Sequence, residues 1–439
     1  MKVIIVGGGF AGLTLARKLN NKSGFEVTLL DKYNYHQFQP LFYQVATAAL
    51  DASNISFPLR KVFHKTRNVH VRLGELQEVV PSRNIIRTNI GEMEYDVLVL
   101  ATGADTNFFG NMQLQENAFP MKSTVEALQL RHRLIQNFED ALLAKDEEER
   151  NRLMTIVVVG GGPTGVELSG AIAELKRYVL PKDYPELDFN KMNIYLVEGM
   201  SRTLAAMSEK SSEHSRKYLE KLGVKLFTKT VVKEYDGQTV TLQNGETIQS
   251  AMVIWAAGVK GNVPEGIQKD LVVKGNRIRV DRQNRIQGFS NIYALGDLAY
   301  METPRYPNGH PQLAATANQQ GKLLGKNLLK IQSNSGEPLK DFEYYNKGTM
   351  ATIGRNLAVV DLPKPKMHLS GFFAWLIWMG LHLLLLLGVK NRLFVFMNWM
   401  YNYVTYDQSL RLLFKEFYRP KKAADAKVAN REMAEADHR

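Results

Sequence analysis

Short apolar runs rich in Val and Ile recur along the chain, and two of them lead directly into glycine-rich turns. MKVIIVGGGFAGLTLARKL at the start is echoed by LMTIVVVGGGPTGVELSGAIAEL, and the same interval separates Gly7 from Gly160 and Gly12 from Gly165. In each copy a strand-like run precedes the turn, and apolar residues at helical spacing follow it. This order predicts the opening of a dinucleotide-binding βαβ unit, twice in one chain.

Further apolar runs have the length of buried strands, and each ends at a small or polar residue. They are 27–30 before Asp31, 96–100 before Ala101, Thr102 and Gly103, 193–198, 253–257 before Gly258, and 291–295 before Gly296 and Asp297. The segment 123–143 has helical periodicity. Strands that alternate with helices predict an α/β fold with two Rossmann-like dinucleotide-binding domains.

The first turn fits the G-x-G-x-x-G pattern through Gly7, Gly9 and Gly12. These glycines allow a tight turn, the approach of a pyrophosphate and close packing of helix on strand. Asp31 ends the next strand about 20 residues later, where a carboxylate can accept hydrogen bonds from both ribose hydroxyls. The first unit is therefore predicted to hold one dinucleotide, and the alternative is a glycine-rich turn without a ligand.

The second turn repeats this logic through Gly160, Gly162 and Gly165, and Glu198 ends the next strand after a Pro-containing insertion at 178–192. A carboxylate at the ribose favours a free 2′-hydroxyl and repels a 2′-phosphate, which predicts NADH rather than NADPH. Arg202 leaves the other alternative open, because a nearby arginine can accommodate the phosphate.

Two nucleotide sites in one chain indicate a relay in which NADH delivers hydride to a second, tightly held dinucleotide. The second is predicted to be FAD, because a flavin accepts a hydride and passes electrons on singly or in pairs. Gly296 and Asp297 follow a late strand, where the first domain would meet the rest of FAD. The alternative for Asp297 is an acidic helix N-cap without a ligand.

The character of the chain changes after about residue 348, where an apolar and basic segment begins. Residues 367–389 contain no Asp, Glu, Lys or Arg, and one helix of this length, about 35 Å, is enough to span a bilayer. Three features argue against a membrane-spanning helix. Basic residues flank the run at both ends, His382 lies inside it, and amphipathic segments follow it. In the first of these segments, an apolar face opposes a polar one; the apolar residues are Leu393, Phe396, Met397, Met400, Tyr401 and Val404, and the polar ones are Asn398, Asn402 and Thr405. In the second segment, the apolar residues Leu410, Leu413, Phe414 and Phe417 lie beside a basic stripe of Arg411, Lys415 and Arg419. An in-plane foot on a membrane surface is favoured.

Composition and charge support this organisation. The 439 residues and 45% hydrophobic content suit a globular chain of two to four domains. Of the formal net charge of +12, most lies in 363–422, where nine Lys or Arg stand against two acids. Basic charge among aromatics and leucines indicates an anionic membrane surface and argues against nucleic acid. The absence of Cys excludes disulfides, thiolate metal sites, iron–sulfur clusters and a thiol nucleophile, and no metal site is predicted.

Over about residues 1–418 the sequence resembles the single-subunit, non-proton-pumping type II NADH dehydrogenases, or NADH:quinone oxidoreductases. The motifs that carry the resemblance are IIVGGGFAGL, HQFQPLFYQVATAAL, VLATGADTNFFG, VVVGGGPTGVELSGAIAEL, WAAGV, IYALGDLA, AATANQQG, and GTMATIGRNLAVVDL followed by GFFAWLIWMGLHLLLLLGVKNR. The resemblance implies a two-dinucleotide-binding-domain flavoprotein with non-covalent FAD, usually a homodimer. The expected domains are 1–121 and 281–347 for FAD, 122–280 for NADH, 348–422 for membrane anchoring, and a disordered tail at 423–439.

The resemblance also places individual residues. Glu167, in the first turn of the helix that follows the second glycine turn, is implied to lie near the flavin, the nicotinamide and the quinone. The alternative is an acid that complements the helix dipole. Tyr43 and Gln44 are implied to approach the flavin and a quinone tunnel. Gln319 matches the second glutamine of the family's A-Q-x-A-x-Q stretch, whereas Ala315 stands where the first is usual and offers no amide. The remaining implied contacts are Phe10, Ala11 and Lys32 with Ala101, Thr102 and Gly103 for FAD, Pro163, Thr164, Ala257 and Gly258 for NADH, and Gln320 for the quinone.

We therefore expect an enzyme that passes hydride from NADH to FAD and two electrons to a membrane quinone of the menaquinone or ubiquinone type. The reaction is expected to be ping-pong and without proton pumping, at the cytoplasmic face of the cell inner membrane. The alternatives are a reductase for a soluble ferredoxin- or rubredoxin-type acceptor and an NADH-sensing flavoprotein that acts through interactions. The absence of Cys excludes flavoenzymes that work through a disulfide.

Overall fold

Two parallel five-stranded sheets organise the protein, together with smaller sheets of two or three strands, and its computed structural model describes residues 1–414. The expected tail at 423–439 and the predicted positions Lys415, Phe417 and Arg419 lie outside the described residues. The α/β fold with two Rossmann-like units is confirmed.

The chain from the first strand to the end of β9 forms most of the first unit. Its elements are β1 (Lys2–Val6), α1 (Phe10–Leu19), β2 (Glu26–Asp31), β3 (Tyr35–Gln37), α2 (Phe42–Ala46), α3 (Ala52–Ile55), β4 (Ser56–Pro58), α4 (Leu59–Val62), β5 (Val69–Leu73), β6 (Leu76–Val80), β7 (Ile85–Thr88), β8 (Gly91–Glu94) and β9 (Val97–Leu100).

The second unit and the segments that flank it follow. Their elements are β10 (Ala104–Thr106), α5 (Met112–Asn117), β11 (Phe119–Pro120), α6 (Thr124–Leu142), α7 (Glu147–Leu153), β12 (Thr155–Val159), α8 (Pro163–Tyr178), α9 (Leu180–Asp183), β13 (Asn193–Glu198), α10 (Glu209–Lys221), β14 (Lys225–Thr228), β15 (Val232–Tyr235), β16 (Thr239–Leu242), β17 (Thr247–Gln249), β18 (Met252–Trp255) and β19 (Val259–Gly261).

The chain then returns to the first unit and ends in the C-terminal segment. The elements are β20 (Val272–Val273), β21 (Arg277–Arg279), β22 (Ile292–Ala294), β23 (Ala299–Tyr300), α11 (Ala314–Ser333), β24 (Thr349–Gly354), β25 (Leu357–Pro363), β26 (Lys366–Ser370), α12 (Phe372–Leu385) and α13 (Val389–Thr405).

The two parallel sheets have the same layout. The first has the strand order β22-β9-β1-β2-β5 and the second β11-β18-β12-β13-β14. In each, the strand that enters the glycine turn is central, with the strand ending in Asp31 or Glu198 beside it. Because the strands are parallel, both acids and both glycine turns lie at the carboxyl edges of their sheets.

The predicted helix at 123–143 is confirmed as α6, whose N-terminus carries a capping box formed by Ser123 and Glu126. The insertion at 178–192 is more than a Pro-containing loop. It includes α9, and the side chains of Tyr184, Leu187 and Phe189 are buried in the same core cluster as α8.

The apolar run at 367–389 is divided between three elements. It begins in β26, passes through Gly371 at φ +76° into α12, and turns at Gly388, φ +82°, into α13. The alternative of one long helix is therefore wrong. Among residues 1–414, no helix combines the length and the hydropathy that crossing a membrane requires.

Helices α12 and α13 bury few side chains and expose many apolar ones. Trp378 and Trp399 point into the core, whereas Phe373, Val389 and Val404 are 72%, 80% and 75% exposed. The predicted stripe of α13 is among the exposed residues, namely Leu393, Phe396, Met397, Met400, Tyr401 and Val404. Of the predicted polar side, Asn402 faces the protein, since its amide donates to the carbonyl oxygen of Ala49, whereas Thr405 is exposed.

Candidate functional site

The first glycine turn brings backbone closer to backbone than a side chain would allow. A Cβ at Gly7, whose φ is +106°, would lie 2.2 Å from the Ala101 carbonyl oxygen, and one at Gly12 would lie 1.9 Å from that of Gly7. At Gly9 nothing lies within 4 Å of the Cβ position. The N-terminus of α1 has neither a side-chain cap nor an acid in its first turn. Its free N–H groups are therefore accessible to an anionic group such as a pyrophosphate.

Asp31 is held against this turn from the end of β2. Its Oδ2 accepts a hydrogen bond from the Gly8 N–H at 2.5 Å and its Oδ1 accepts one from the Tyr33 N–H at 2.6 Å. Burial raises the pKa of the carboxyl, and the two N–H groups and the charge of Lys32 oppose the rise. The sequence pattern missed Gly8, although the uninterrupted GGG run was a signal for it.

A polar cavity of about 490 Å³ lies at the carboxyl edge of the first sheet. The predicted residues that line it are Gly7, Gly9, Asp31, Lys32, Ala101, Thr102 and Gly103. The open space beside Gly9 and the carboxylate at the strand end fit a dinucleotide with its pyrophosphate at α1 and a ribose at Asp31. The residues present therefore fit FAD.

Gly296 and Asp297 approach the same turn from the end of β22. The Cβ position of Gly296 lies 3.5 Å from the Ala11 side chain, so α1 and this segment are in contact. Burial raises the pKa of Asp297, and the charges of Lys122 and Arg277 oppose the rise. Phe10 packs edge-on against the His36 ring, 5.1 Å away.

The second glycine turn has the same construction. A Cβ at Gly160, φ +110°, would lie 2.7 Å from the Ala256 backbone, and one at Gly165 would lie 1.9 Å from the Gly160 carbonyl oxygen. At Gly162 nothing lies within 4 Å of the Cβ position. Pro163 and Thr164 form the exposed first turn of α8, and Ala257 and Gly258 follow β18 at the same edge of the sheet.

Glu198 occupies the position that Asp31 has in the first unit. Its Oε2 accepts a hydrogen bond from the Gly161 N–H at 2.5 Å and its Oε1 accepts one from the Met200 N–H at 2.6 Å. The Arg202 guanidinium donates to the carbonyl oxygens of Ala205 and Met207. It is also 3.6 Å from a carboxylate oxygen of Glu209.

A second, largely apolar cavity of about 120 Å³ lies where α8, α2, the β24–β25 turn and the two C-terminal helices meet. Tyr43, Gln44 and Glu167 all line it, so the structure brings three of the predicted residues together. The Gln44 amide donates to the Tyr43 hydroxyl at 2.8 Å and accepts a hydrogen bond from the Trp399 indole at 2.7 Å. The bond from Trp399 joins α13 to α2, and the bond to Tyr43 fixes the Gln44 amide within α2.

The Glu167 carboxyl faces this cavity from deep inside the protein. Burial raises the pKa of Glu167 to about 8, opposed in part by the Thr352 N–H and the Trp378 indole. Burial also raises the pKa of Tyr43 well above its ordinary value, and the Glu167 charge adds to the rise. At neutral pH Glu167 therefore carries a proton that it can donate.

Two further residues of this cavity were missed by sequence reasoning. Glu174 lines it two helical turns beyond Glu167, and Arg355 lines it from the β24–β25 turn. The spacing of the two acids on α8 was the only available signal for Glu174. No local pattern marked Arg355.

The remaining predicted quinone residues, Gln319, Gln320 and Ala315, lie elsewhere and do not line this cavity. The Gln319 amide exchanges two hydrogen bonds with the Tyr345 backbone, at 2.9 and 3.0 Å. The side-chain amide oxygen of Gln320 accepts a hydrogen bond from the Gly296 N–H at 2.7 Å, and Ala315 packs against the core. The amides of Gln319 and Gln320 are therefore bonded within the first unit, and contact of these three residues with a quinone stays a prediction.

Family models match two parts of the chain. A pyridine nucleotide-disulphide oxidoreductase model matches residues 1–321, and an NDH2 C-terminal domain model matches residues 346–405. The type II NADH:quinone oxidoreductase Ndh of Mycobacterium tuberculosis is 34% identical, covering 92% of this chain and 88% of the relative. The type II NADH:quinone oxidoreductase of Staphylococcus aureus is 29% identical, covering 80% and 87%.

Solved structures share the fold. NDH2 from Plasmodium falciparum in complex with NADH superposes with a TM-score of 0.86 at 22% identity, over 94% of this chain and 99% of the other. A sulfide:quinone oxidoreductase from Aquifex aeolicus gives 0.68 at 19% identity, over 89% and 92%. The likeness therefore extends through the C-terminal helices.

Proposed function

The chain belongs to the family of type II NADH:quinone oxidoreductases, and from that premise we propose a ping-pong reaction at a membrane surface, without proton pumping. FAD, when bound, accepts a hydride from NADH and passes two electrons on to a quinone. The protein's own contribution is to hold both dinucleotides, to supply protons and to exclude water.

Two matching sites hold the dinucleotides. The cavity at Asp31 takes FAD, and the turn at Gly162 with Glu198 takes NADH. The Glu198 carboxylate accepts hydrogen bonds from the ribose hydroxyls and repels a 2′-phosphate. Arg202 lies close by, but its contacts with Ala205, Met207 and Glu209 compete with a phosphate. We therefore propose NADH as the preferred donor.

The observation that carries the proposal is the position of the Glu167 carboxyl in a mainly apolar cavity walled by α12 and α13, where burial raises its pKa to about 8. A quinone needs two protons along with its two electrons, and a side chain in a mainly apolar site can supply them. Glu167 is placed to donate one to a quinone oxygen. Tyr43 and Gln44 lie in the same cavity and are placed to contact the quinone ring.

The exposed apolar faces of α12 and α13 support a position of this cavity at a lipid surface. Phe373, Val389 and Val404 would enter the acyl boundary, while the exposed residues Lys390 and Arg392 would meet anionic headgroups. A quinone dissolved in the bilayer then reaches the cavity without crossing water. We propose a peripheral homodimer on the cytoplasmic face of the inner membrane, with menaquinone or ubiquinone as the acceptor.

Separated half-reactions test the proposal. Anaerobic NADH should bleach the flavin absorbance of the purified protein, and a quinone added after NAD⁺ is removed should restore it. In sealed vesicles the turnover should create no membrane potential, and the protein should sediment with anionic vesicles. Bleaching without reoxidation by any quinone would exclude the function.

A further inference from the structure

Helix α8 presents two carboxyl groups to one cavity. Glu167 and Glu174 are seven residues apart, which is close to two full turns, so both side chains lie on the same helix face. Both line the cavity with Tyr43, Trp378 and Arg355. The proposed reaction uses Glu167 alone and leaves a second buried acid without a role.

The β24–β25 turn is built closely around Glu174. The Arg355 N–H donates to Glu174 Oε1 at 2.5 Å, and a Cβ at Gly354 would lie 2.9 Å from the same oxygen. A hydrogen-bonded carboxyl at a glycine turn is fixed in position. This geometry favours a defined chemical task for Glu174 over a loosely placed surface acid.

The Arg355 guanidinium is fixed as well, but its N–H groups are not all used. Its centre lies 3.9 Å from the ring centroid of Tyr403 and 3.9 Å from that of Tyr406. Among the described residues, its Nε and Nη1 have no hydrogen-bond partner although both are buried. Two buried donors in a cavity wall are suited to hold water beside Glu174.

The cavity has the volume for such water. A cavity of about 120 Å³ is several times larger than the roughly 30 Å³ of one water molecule, so it has room for ordered water beside Glu174. The Cα atoms of Glu167 and Glu174 are separated by about 10 Å along α8, and a short water chain in the cavity can bridge their carboxyl groups. Tyr406 and Gln408, at the edge of the cavity near Glu174, are at least partly exposed.

We propose that Glu174 is the second station of a proton path that refills Glu167 from solvent, with Arg355 as the residue that positions Glu174 and its water. The inference rests on the proposed quinone reduction. There the quinone gains two electrons from the reduced flavin and two protons through Glu167. Each time the Glu167 O–H bond breaks, the carboxylate takes a proton passed through water from Glu174, and Glu174 takes one from bulk solvent.

The protonation behaviour of the two acids suits this order. Burial raises the pKa of Glu174 to about 7, and the backbone N–H and the charge of Arg355 oppose the rise. Glu174 therefore exchanges protons with neutral solvent, and the pKa of Glu167, about 8, is close enough for a proton to pass between the two acids. The titratable or charged groups that face Glu174 across the cavity are Arg355, Tyr43, Glu167, Tyr178, Tyr403 and Tyr406.

The test is Glu174→Gln, which keeps the acceptor for the Arg355 N–H but cannot relay a proton. Glu186→Gln, at an exposed position outside the cavity, is the matched control. Stopped-flow reoxidation of the NADH-reduced protein by a short-chain quinone should slow at least tenfold in Glu174→Gln, with a larger solvent deuterium isotope effect. Reduction by NADH, and reoxidation by ferricyanide, which takes no proton, should stay at the wild-type rate.

Small acids supply the second measurement. Formic acid, which can enter the cavity and carry a proton, should restore the quinone rate of Glu174→Gln and leave Glu186→Gln unchanged. Equal quinone rates and isotope effects in Glu174→Gln and wild type would overturn the relay. So would slowing shared by ferricyanide or not relieved by formic acid, because it would indicate a structural role. Loss of quinone reoxidation in the wild type would instead overturn the proposed function.

Discussion

Gly170 lies on α8 between Glu167 and Glu174, at the point where this helix crosses β24. A Cβ at Gly170 would lie 1.6 Å from the Ile353 carbonyl oxygen, against an ordinary contact of at least 3.4 Å. The change Gly170→Ala therefore requires helix and strand to separate by about 1.8 Å. Thr352 and Arg355, which bond the two acids, lie on either side of Ile353 and would move with it.

The magnitude follows from packing and geometry. Overpacking of this kind costs about 1–3 kcal/mol, and loss of the Arg355 N–H bond to Glu174 adds about 1 kcal/mol. The melting temperature should fall by several degrees. A displacement of more than about 1 Å at a catalytic group can cost about 100-fold in rate, so quinone reduction should fall by that order.

The assay compares flavin content, two rates and one melting temperature. Gly170→Ala should keep its flavin and its NADH:ferricyanide activity, lose most NADH:quinone activity, and melt earlier by differential scanning fluorimetry. Gly380→Ala is the control, because this exposed glycine of α12 has nothing within 4 Å of its Cβ position. It should gain up to about 1 kcal/mol from helix propensity. Wild-type melting and quinone activity in Gly170→Ala would refute the close approach of α8 and β24.

Three further predictions concern single side chains. The rate of quinone reduction should decline as pH rises through about 8, where Glu167 loses its proton. Glu167→Gln should slow quinone reduction about 100-fold and remove this pH dependence. If the pH dependence persists in Glu167→Gln, it belongs to another group. Glu198→Ala should lower kcat/KM for NADH about tenfold or more, and it should reduce the ratio of kcat/KM for NADH to that for NADPH, with ferricyanide as the electron acceptor. An unchanged ratio would exclude Glu198 from the selection of the donor. Asp361 accepts hydrogen bonds from the Ser208 N–H and from the hydroxyls of Ser208 and Ser211, which ties β25 to α10. Asp361→Asn should cost about 1–2 kcal/mol and lower the melting temperature, and an unaltered melting curve would contradict this role.

Local sequence patterns were enough to predict much of the architecture and half of the candidate site. Both glycine turns, Asp31 and Glu198 were predictable, because a few consecutive residues fix each turn and helix start, and each acid ends the next strand of the same βαβ unit. Glu174 was not, since its role depends on Arg355, which lies far along the chain. Gln319 matched a motif, but its amide partner, the Tyr345 backbone, lies beyond the helix that carries it.

The apolar run at 367–389 shows a limit of a different kind. Hydropathy measures how favourably a segment leaves water and contains no signal for a change of chain direction. Gly371 and Gly388 adopt positive φ values that divide the run, and neither departs from its apolar character. The same composition therefore fits one spanning helix and a strand followed by shorter helices.

The hydrogen bonds from Trp399 to Gln44 and from Gln44 to Tyr43 give the C-terminal helices a double duty. The same segment that would rest on lipid also forms a wall of the cavity. A shortened protein made for easier handling in water would therefore lose part of its acceptor site along with its tether. For inhibitor design, a compound that wedges between Trp399 and Gln44 would act on attachment and turnover at once, without competing with NADH.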